Sequence, residues 1–343
     1  MPTIYDIARA LGVSQTTVAN ALKGKSNISE ATRQRIIQYA EEVGYRPNVL
    51  AQGLAKRKTF NFGFILPTIT NPFYSEIAEE MERVALKHSY QVSLCNTYGD
   101  AKLGQHHLER LLSRWIDGII VMGLSMDLAS LTEQFQKGLP VVLCNWQENE
   151  QPTNIPHVSI DFRLAGQLAA QHLLELGHRH IAIIADRPRQ NLRVEGFRAR
   201  LQEAGISLEA DMIEQGDSSL PSGYDATKRL LEREHPPTAI FVANDWMAIG
   251  AIDVAHNMGL QVPRDLSIIG LDNVVISAHI HPPLTTIEIP KQQLARTTTE
   301  MLLQLIDKSE QSAQNVLIPP LLLPRQSTAE PPAQSANIRM VSP

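Results

Sequence analysis

At 343 residues the chain is too long for one compact core and is sized for two or three domains. Its 43% hydrophobic and 20% charged residues are those of an ordinary globular protein, and the absence of any run of about 18 apolar residues argues against a transmembrane helix. The net charge of −5 conceals an asymmetry: residues 1–60 hold nine Lys/Arg against four acids, a net +5, so the remainder carries −10. A basic end on an acidic body suits a phosphate-bearing partner met on a confined surface.

The N-terminal run Met1-Pro2-Thr3-Ile4-Tyr5-Asp6 has no basic segment leading into an apolar one, so no secretory signal and a cytoplasmic location are expected. Residues 1–47 read as three short helices. Thr3 caps the first with Asp6 three residues on, and Ile4, Ile7, Ala8 and Leu11 form one apolar face. Gly12 breaks it and Val13 plugs the turn. Ser14 caps the second helix, which turns Val18, Ala21 and Leu22 inward before Lys23-Gly24. Ser29 opens the third, with Ile36, Ile37, Ala40 and Val43 inward and Gly44 at its end. Helix, tight glycine turn and helix is a helix-turn-helix, whose second helix enters the major groove at its N-terminal end. Gln15, Thr16, Thr17 and Asn20 lie on its outer side; amides pair with adenine and a Thr methyl packs on thymine.

Several strings in this headpiece, Thr3-Ile4-Tyr5-Asp6-Ile7-Ala8, Gly12-Val13-Ser14, Thr17-Val18, Ile28-Ser29-Glu30-Ala31-Thr32-Arg33 and Gly44-Tyr45-Arg46-Pro47-Asn48, resemble the lactose/galactose repressor family of bacterial transcription regulators. The resemblance implies a DNA contact set of Thr3, Tyr5, Ser14, Gln15, Thr16, Thr17, Asn20, Asn27, Tyr45, Asn48, Ala51 and Leu54. Where the family usually continues Thr-Val with Ser-Arg or Ser-His, this chain has Ala19-Asn20, so Asn20 is expected to favour adenine where an Arg would favour guanine. Residues 48–59 read as a short hinge helix with a basic end, too short to be stable alone. In the family this segment folds on DNA and a leucine wedges into the minor groove; Leu54 holds that place, beside a helix-weakening Gly53.

Beyond residue 60 apolar strands alternate with amphipathic helices. Strand candidates include Phe62–Leu66, Gln91–Cys95, Gly118–Met122, Val141–Cys144, Ile181–Ala185, Ala239–Ala243 and Ser267–Leu271. Helical candidates include Tyr74–His88, Ala165–Leu176, Arg193–Glu203 and Trp246–Met258. The alternation predicts an α/β fold of doubly wound parallel sheets, split into two similar lobes. The resemblance gives this domain a periplasmic-binding-protein-like form spanning 60–328, with lobe 1 at about 60–160 and 290–320 and lobe 2 at about 161–289 and 321–328. A Pro-, Ala-, Ser- and Gln-rich tail, 329–343, is expected to be disordered.

No phosphate-binding glycine signature, metal-ligand motif or nucleophile elbow occurs, so no catalytic residue, metal or cofactor is expected and the chain does not read as an enzyme. His178 and His180 read as structural, and Cys95 and Cys144 as packing thiols of a reducing compartment. Binding is a different matter, because ligands of open α/β sheets collect at the C-terminal ends of strands. Family landmarks there include Asn71-Pro72-Phe73-Tyr74, Arg193-Val194-Glu195-Gly196-Phe197, Asn244-Asp245 and Gly270-Leu271-Asp272-Asn273. By resemblance the effector set is Phe73, Tyr74, Trp146, Arg189, Arg193, Asn244, Asp245 and Asp272. Aromatic faces with Arg, Asn and Asp suit a sugar-like ligand. The sequence also resembles the purine repressors in places, such as Gln215-Gly216-Asp217, but Ser218 replaces an aromatic that would stack on a purine. Arg187, Arg189 and Arg193 leave open a carboxylate or phosphate on the sugar. The expected partners are palindromic double-stranded operator DNA, a small-molecule effector and a second copy in a homodimer; no membrane partner is expected. A non-regulatory sugar-binding protein is the reading from another class, and the headpiece argues against it.

Overall fold

The computed structural model describes residues 2–25, 27–45, 58–123, 126–145, 153–186, 191–307 and 314–333. The chain divides into a small unit, Met1–Thr59, and a large one, Phe60–Pro343. In the small unit three helices, α1 (Ile4–Leu11), α2 (Gln15–Leu22) and α3 (Glu30–Glu42), pack around Ile7, Ala8, Val18, Ala21, Ile36 and Ala40. The caps fall where the sequence places them. Thr3 and Asp6 form a reciprocal capping box, and Ser14 and Ser29 accept the backbone N–H groups of Thr17 and Thr32. Gly12 ends α1 at φ 69°, in the left-handed region that glycine adopts without a Cβ clash. Ile37, expected inward, is instead exposed, and Tyr39 and Val43 pack on the core. Arg35 donates to the Leu11 carbonyl, tying α3 to the open end of α1.

The large unit holds two six-stranded sheets. The first comprises β1 (Asn61–Leu66), β2 (Gln91–Asn96), β3 (Gly118–Met122), β4 (Val141–Cys144), β5 (His157–Ile160) and β11 (Val316–Ile318), in the order β11-β5-β4-β3-β1-β2. The second comprises β6 (Ile181–Asp186), β7 (Ile213–Gly216), β8 (Ala239–Val242), β9 (Ser267–Asp272), β10 (Thr285–Glu288) and β12 (Leu321–Leu323), in the order β12-β10-β9-β8-β6-β7. All neighbours are parallel except β10 and β12. Central strands such as β3, β4, β6 and β9 are buried along their whole length, as helices on both faces require.

Helices α4 (Pro72–Lys87), α5 (Ala101–Ser113), α6 (Leu128–Gln136) and α11 (Lys291–Asp307) pack with the first sheet. Helices α7 (Phe162–Glu175), α8 (Asn191–Glu203), α9 (Leu220–Leu231) and α10 (Asp245–Asn257) pack with the second. Two helix pairs meet backbone to backbone. A Cβ on Gly166 of α7 would lie 2.0 Å from the Arg193 carbonyl oxygen, and one on Gly223 of α9 would lie 2.1 Å from that of Met247.

Disorder from residue 329 does not hold at its start. The Ala329 N–H donates to Ser267 Oγ, and its carbonyl accepts from His178 Nε2 at 2.8 Å, because the polar ends of β9 and α7 supply the partners the segment needs. His178 is fully buried and also bonds Thr238, so it ties the end of α7 to neighbouring segments. Cys95 and Cys144 are free thiols, and burial pushes the Cys144 thiol up to about 12, which leaves it inert at neutral pH. No described helix is long and apolar enough to cross a membrane.

Candidate functional site

On the headpiece, the start of α2 and the outer side of α1 share a shallow concavity of about 400 Å³, lined by Tyr5, Ala8, Arg9, Gly12, Val13, Ser14 and Gln15. Tyr5, Gln15, Thr16 and Asn27 are exposed, while Thr17 and Asn20 are half-buried. The Ser14 and Thr17 hydroxyls bond each other at 2.8 Å, so both serve the cap of α2. The Thr3 hydroxyl donates to Asp6 at 2.7 Å and, with the backbone there, holds that carboxyl below its ordinary range. Tyr45 packs half-buried on the small core. Asn48, Ala51 and Leu54 lie outside the described residues.

In the large unit both sheets reverse their strand order at one place, between β1 and β3 in the first and between β6 and β8 in the second. Where the order reverses, the loops leaving the two strands run to opposite faces and open a crevice at the carboxyl ends. The residues there are Asn71, Phe73 and Tyr74 after β1, Asp186 ending β6, and Asn244 after β8. Asp272, one strand further on, ends β9 with φ 117°, a region L-residues rarely adopt, and Asn273 follows at φ 52°. Asp272 is 3% exposed. Burial and the Asp245 carboxylate hold its carboxyl well above the ordinary range, against the pull of the Arg193 and Lys291 cations. Arg193 is 6% exposed and lies with its guanidinium 4.2 Å from the centre of the Phe162 ring. Arg193 and Asp272 are therefore a buried, electrostatically coupled pair at strand and helix ends, although they are far apart in sequence.

Other members of the expected set have different roles. Asp245 is fully buried; its Oδ1 accepts the Thr286 hydroxyl at 2.6 Å and its Oδ2 the Val274 N–H at 3.0 Å. Both oxygens are committed, and Gly270 leaves the space the carboxylate fills, so Asp245 anchors β9 and β10 rather than a ligand. Burial pushes its carboxyl up to about 6. Asn244 is the N-cap of α10, with Oδ1 accepting Met247 N–H at 2.8 Å. Phe73 is a core residue of the first lobe, stacked edge-on against the half-buried Tyr74 at 5.3 Å. Trp146 and Arg189 fall outside the described residues.

Four residues outside the expected set belong to this region: Phe162, Asp186, Glu76 and Lys291. The Lys291 ammonium donates to the carbonyls of Asp272 and Asn273, each at 2.6 Å, and pairs with Glu76 at 3.4 Å. Glu76, on α4, accepts the Val275 N–H at 2.9 Å, joining the two lobes. Lys291 and Glu76 carry no local signal, since each reads as a solvated helix charge. Among the described residues no group of His, Cys, Asp and Glu is arranged to hold a metal.

A helix-turn-helix headpiece in one chain with two doubly wound lobes that carry polar residues at their switch points defines a ligand-responsive DNA-binding regulator. Comparison with known proteins agrees. Residues 3–48 match the model of bacterial regulatory proteins of the lacI family, and residues 170–328 match a periplasmic binding protein-like domain. The chain is 36% identical to catabolite control protein A of Priestia megaterium over 95% of this chain and 99% of that protein. It is 34% identical to the HTH-type transcriptional repressor PurR of Aliivibrio fischeri over 95% and 98% of the two chains. The structure matches that of the lac repressor dimer bound to operator and the anti-inducer ONPF with a TM-score of 0.85, at 28% identity and over 96% and 99% of the chains. The chain belongs to the lacI family of bacterial regulatory proteins.

Proposed function

We propose that this regulator is a repressor that binds a palindromic operator as a homodimer and is controlled by a sugar-like effector held between the lobes. The observation that carries the effector reading is the buried Arg193–Asp272 pair beside two switch points. A strained, desolvated carboxylate opposite an arginine is costly to keep in an empty protein and well placed to grip vicinal hydroxyls. Tyr74 and Phe162 supply apolar ring faces, and Trp146 and Arg189 complete the set. On the DNA side, Gln15, Thr16 and Asn20 read base edges. Thr3, Tyr5, Ser14, Thr17, Asn27 and Tyr45 position the headpiece (1–47). Asn48, Ala51 and Leu54 of the hinge (48–59) engage the minor groove. Residues 60–328 form the effector and dimerisation domain. Lobe closure changes how the two copies present their hinges, so effector and operator bias one two-state element.

A purine effector is the second reading, and the relation to PurR favours it. Ser218, where a stacking ring would be needed, weighs against it.

The test is selection of duplexes by the full-length protein at fixed salt, with and without sugars, sugar acids, sugar phosphates and purines. The expected outcome is one palindrome whose affinity changes at least tenfold with one compound. Asn20→Arg is expected to shift one half-site position from adenine towards guanine, and Arg193→Ala to keep DNA binding while losing the effector response. Weak, sequence-independent and strongly salt-dependent binding alone would overturn the regulator reading.

A further inference from the structure

We infer that Asp186 and Ser218 form a specificity subsite in the effector cleft that takes hydroxyl donors of an uncharged polyol and turns away anionic ligands. This rests on the reading that the cleft binds the effector. Asp186 is the last residue of β6, at the point where the strand order of the second sheet reverses. In the register of β6 on β7 it stands opposite Gly216, and Ser218 follows two residues later. Ser218 is held at φ 69°, in the left-handed region a serine enters only under constraint, and its hydroxyl donates to Asp186 Oδ2.

The other carboxylate oxygen is the telling one. Asp186 is 6% exposed, and its Oδ1 is buried without a hydrogen-bond partner. A buried carboxylate oxygen left unpaired is costly, and such an atom at a switch point is explained by a group that arrives later.

Charge on this wall says what that group brings. Asp186 and Asp272 both present carboxyl oxygens, and the Asp186 charge is among the causes that hold the Asp272 carboxyl up. Among the described cations on this wall, Lys291 is committed to the Asp272 and Asn273 carbonyls and to Glu76, and Arg193 lies over the Phe162 ring. Among the described residues acceptors therefore dominate this wall, and the ligand must supply the hydrogens. A sugar phosphate or sugar acid would set an anion against two carboxylates, whereas a polyol offers several O–H groups. Serine at 218 also leaves no ring face on which a flat base could stack.

The experiment is calorimetric titration of the full-length protein with D-ribose, D-glucose, D-galactose and cellobiose. Ribose 5-phosphate, glucose 6-phosphate, gluconate, hypoxanthine and guanine complete the panel, and melting curves of each variant accompany it. One uncharged sugar is expected to bind at least tenfold more tightly than its phosphate or acid. Asp186→Ala should weaken that sugar about 10–100-fold, the loss of a charge-assisted hydrogen bond. Asp186→Asn should weaken it less and narrow the discrimination against the anion. The effector-free Asp186→Asn protein should melt no lower than the parent, because Oδ1 satisfies nothing there. Tightest binding of an anionic compound or a purine, sugar affinity within twofold of the parent in both variants, or a lower melting temperature for Asp186→Asn would each overturn the subsite. Arg193→Ala separates the two levels. If it abolishes sugar binding while the Asp186 variants do not, the subsite alone falls. If nothing in the panel binds the parent protein, the effector reading falls and takes the subsite with it.

Discussion

Asp272 and Asp245 lie within electrostatic reach of each other and answer to opposite demands. Asp245 has both oxygens engaged by Thr286 and Val274, so its burial is partly offset by structure and its carboxyl rises only to about 6. Asp272 is as deeply buried, in a backbone conformation that stores strain, and burial and neighbouring carboxylates hold its carboxyl well above the ordinary range. The linkage sign follows. The unfolded chain ionises Asp272 near 3.8, while the folded chain keeps the proton longer, so its contribution to stability is lost as pH rises from about 4 through the raised value. Asn cannot ionise and escapes that loss. Asp272→Asn is therefore expected to melt above the parent in the absence of effector, by a margin that grows between pH 4 and pH 8, and to bind effector at least tenfold more weakly. Asp245→Asn is expected to melt lower, because an amide nitrogen cannot accept a bond that the carboxylate oxygen accepts. Melting curves of both variants across that pH range check the pair. A margin for Asp272→Asn that shrinks as pH rises would remove Asp272 from the strained, ligand-facing role.

At the scale of elements, the position of Arg193 depends on glycine. Helices α7 and α8 touch along their backbones, with Gly166 facing the Arg193 carbonyl and Gly196 facing that of Arg163. That contact sets Arg193 over Phe162, which opens α7. Alanine at 166 gains about 1 kcal/mol of helix propensity but forces apart two backbones that cannot yield locally, at a cost of roughly 1–3 kcal/mol or more. Gly166→Ala is expected to lower the melting temperature by several degrees and weaken effector binding, measured on the same sample; a rise in melting temperature would contradict the close crossing. The same scale explains what the sequence made legible. Long apolar runs such as Gly118–Met122 and Val141–Cys144 announce buried parallel strands, and both ends match the structure. The strands β5, β7 and β10 were not among the candidates because they are four residues long and carry polar residues. His157 and Ser159, and Thr285 and Thr286, are nonetheless buried by tertiary packing that no local pattern reports. Within the site, Arg193 and Asp272 were readable from family strings. Phe162, Glu76 and Lys291 were not, because their partners lie on other elements.

For the whole large unit, the contact most relevant to regulation joins the lobes through Glu76. From α4 on the first lobe, its carboxylate accepts the Val275 N–H just beyond β9 of the second, and it pairs with Lys291. Lys291 in turn holds the carbonyl of Asp272, so one ammonium links the end of β9 to the contact between lobes. These bonds belong to the lobe arrangement seen here, and removing them lowers its stability relative to any other arrangement. An effector that prefers another arrangement must then bind Glu76→Ala more tightly, and one that prefers this arrangement more weakly. Operator affinity must move as well, because both ligands draw on one equilibrium. Coupling energies of about 1–3 kcal/mol translate into changes of roughly 5–150-fold. Glu76→Gln, which keeps an acceptor for Val275 but surrenders the charge opposite Lys291, should give a smaller change in the same direction. Effector titrations and operator titrations of both variants provide the measurement. Unchanged affinity for both ligands in a folded Glu76→Ala protein would reduce the contact to packing. A change in effector affinity with none in operator affinity would break the two-state link between cleft and DNA.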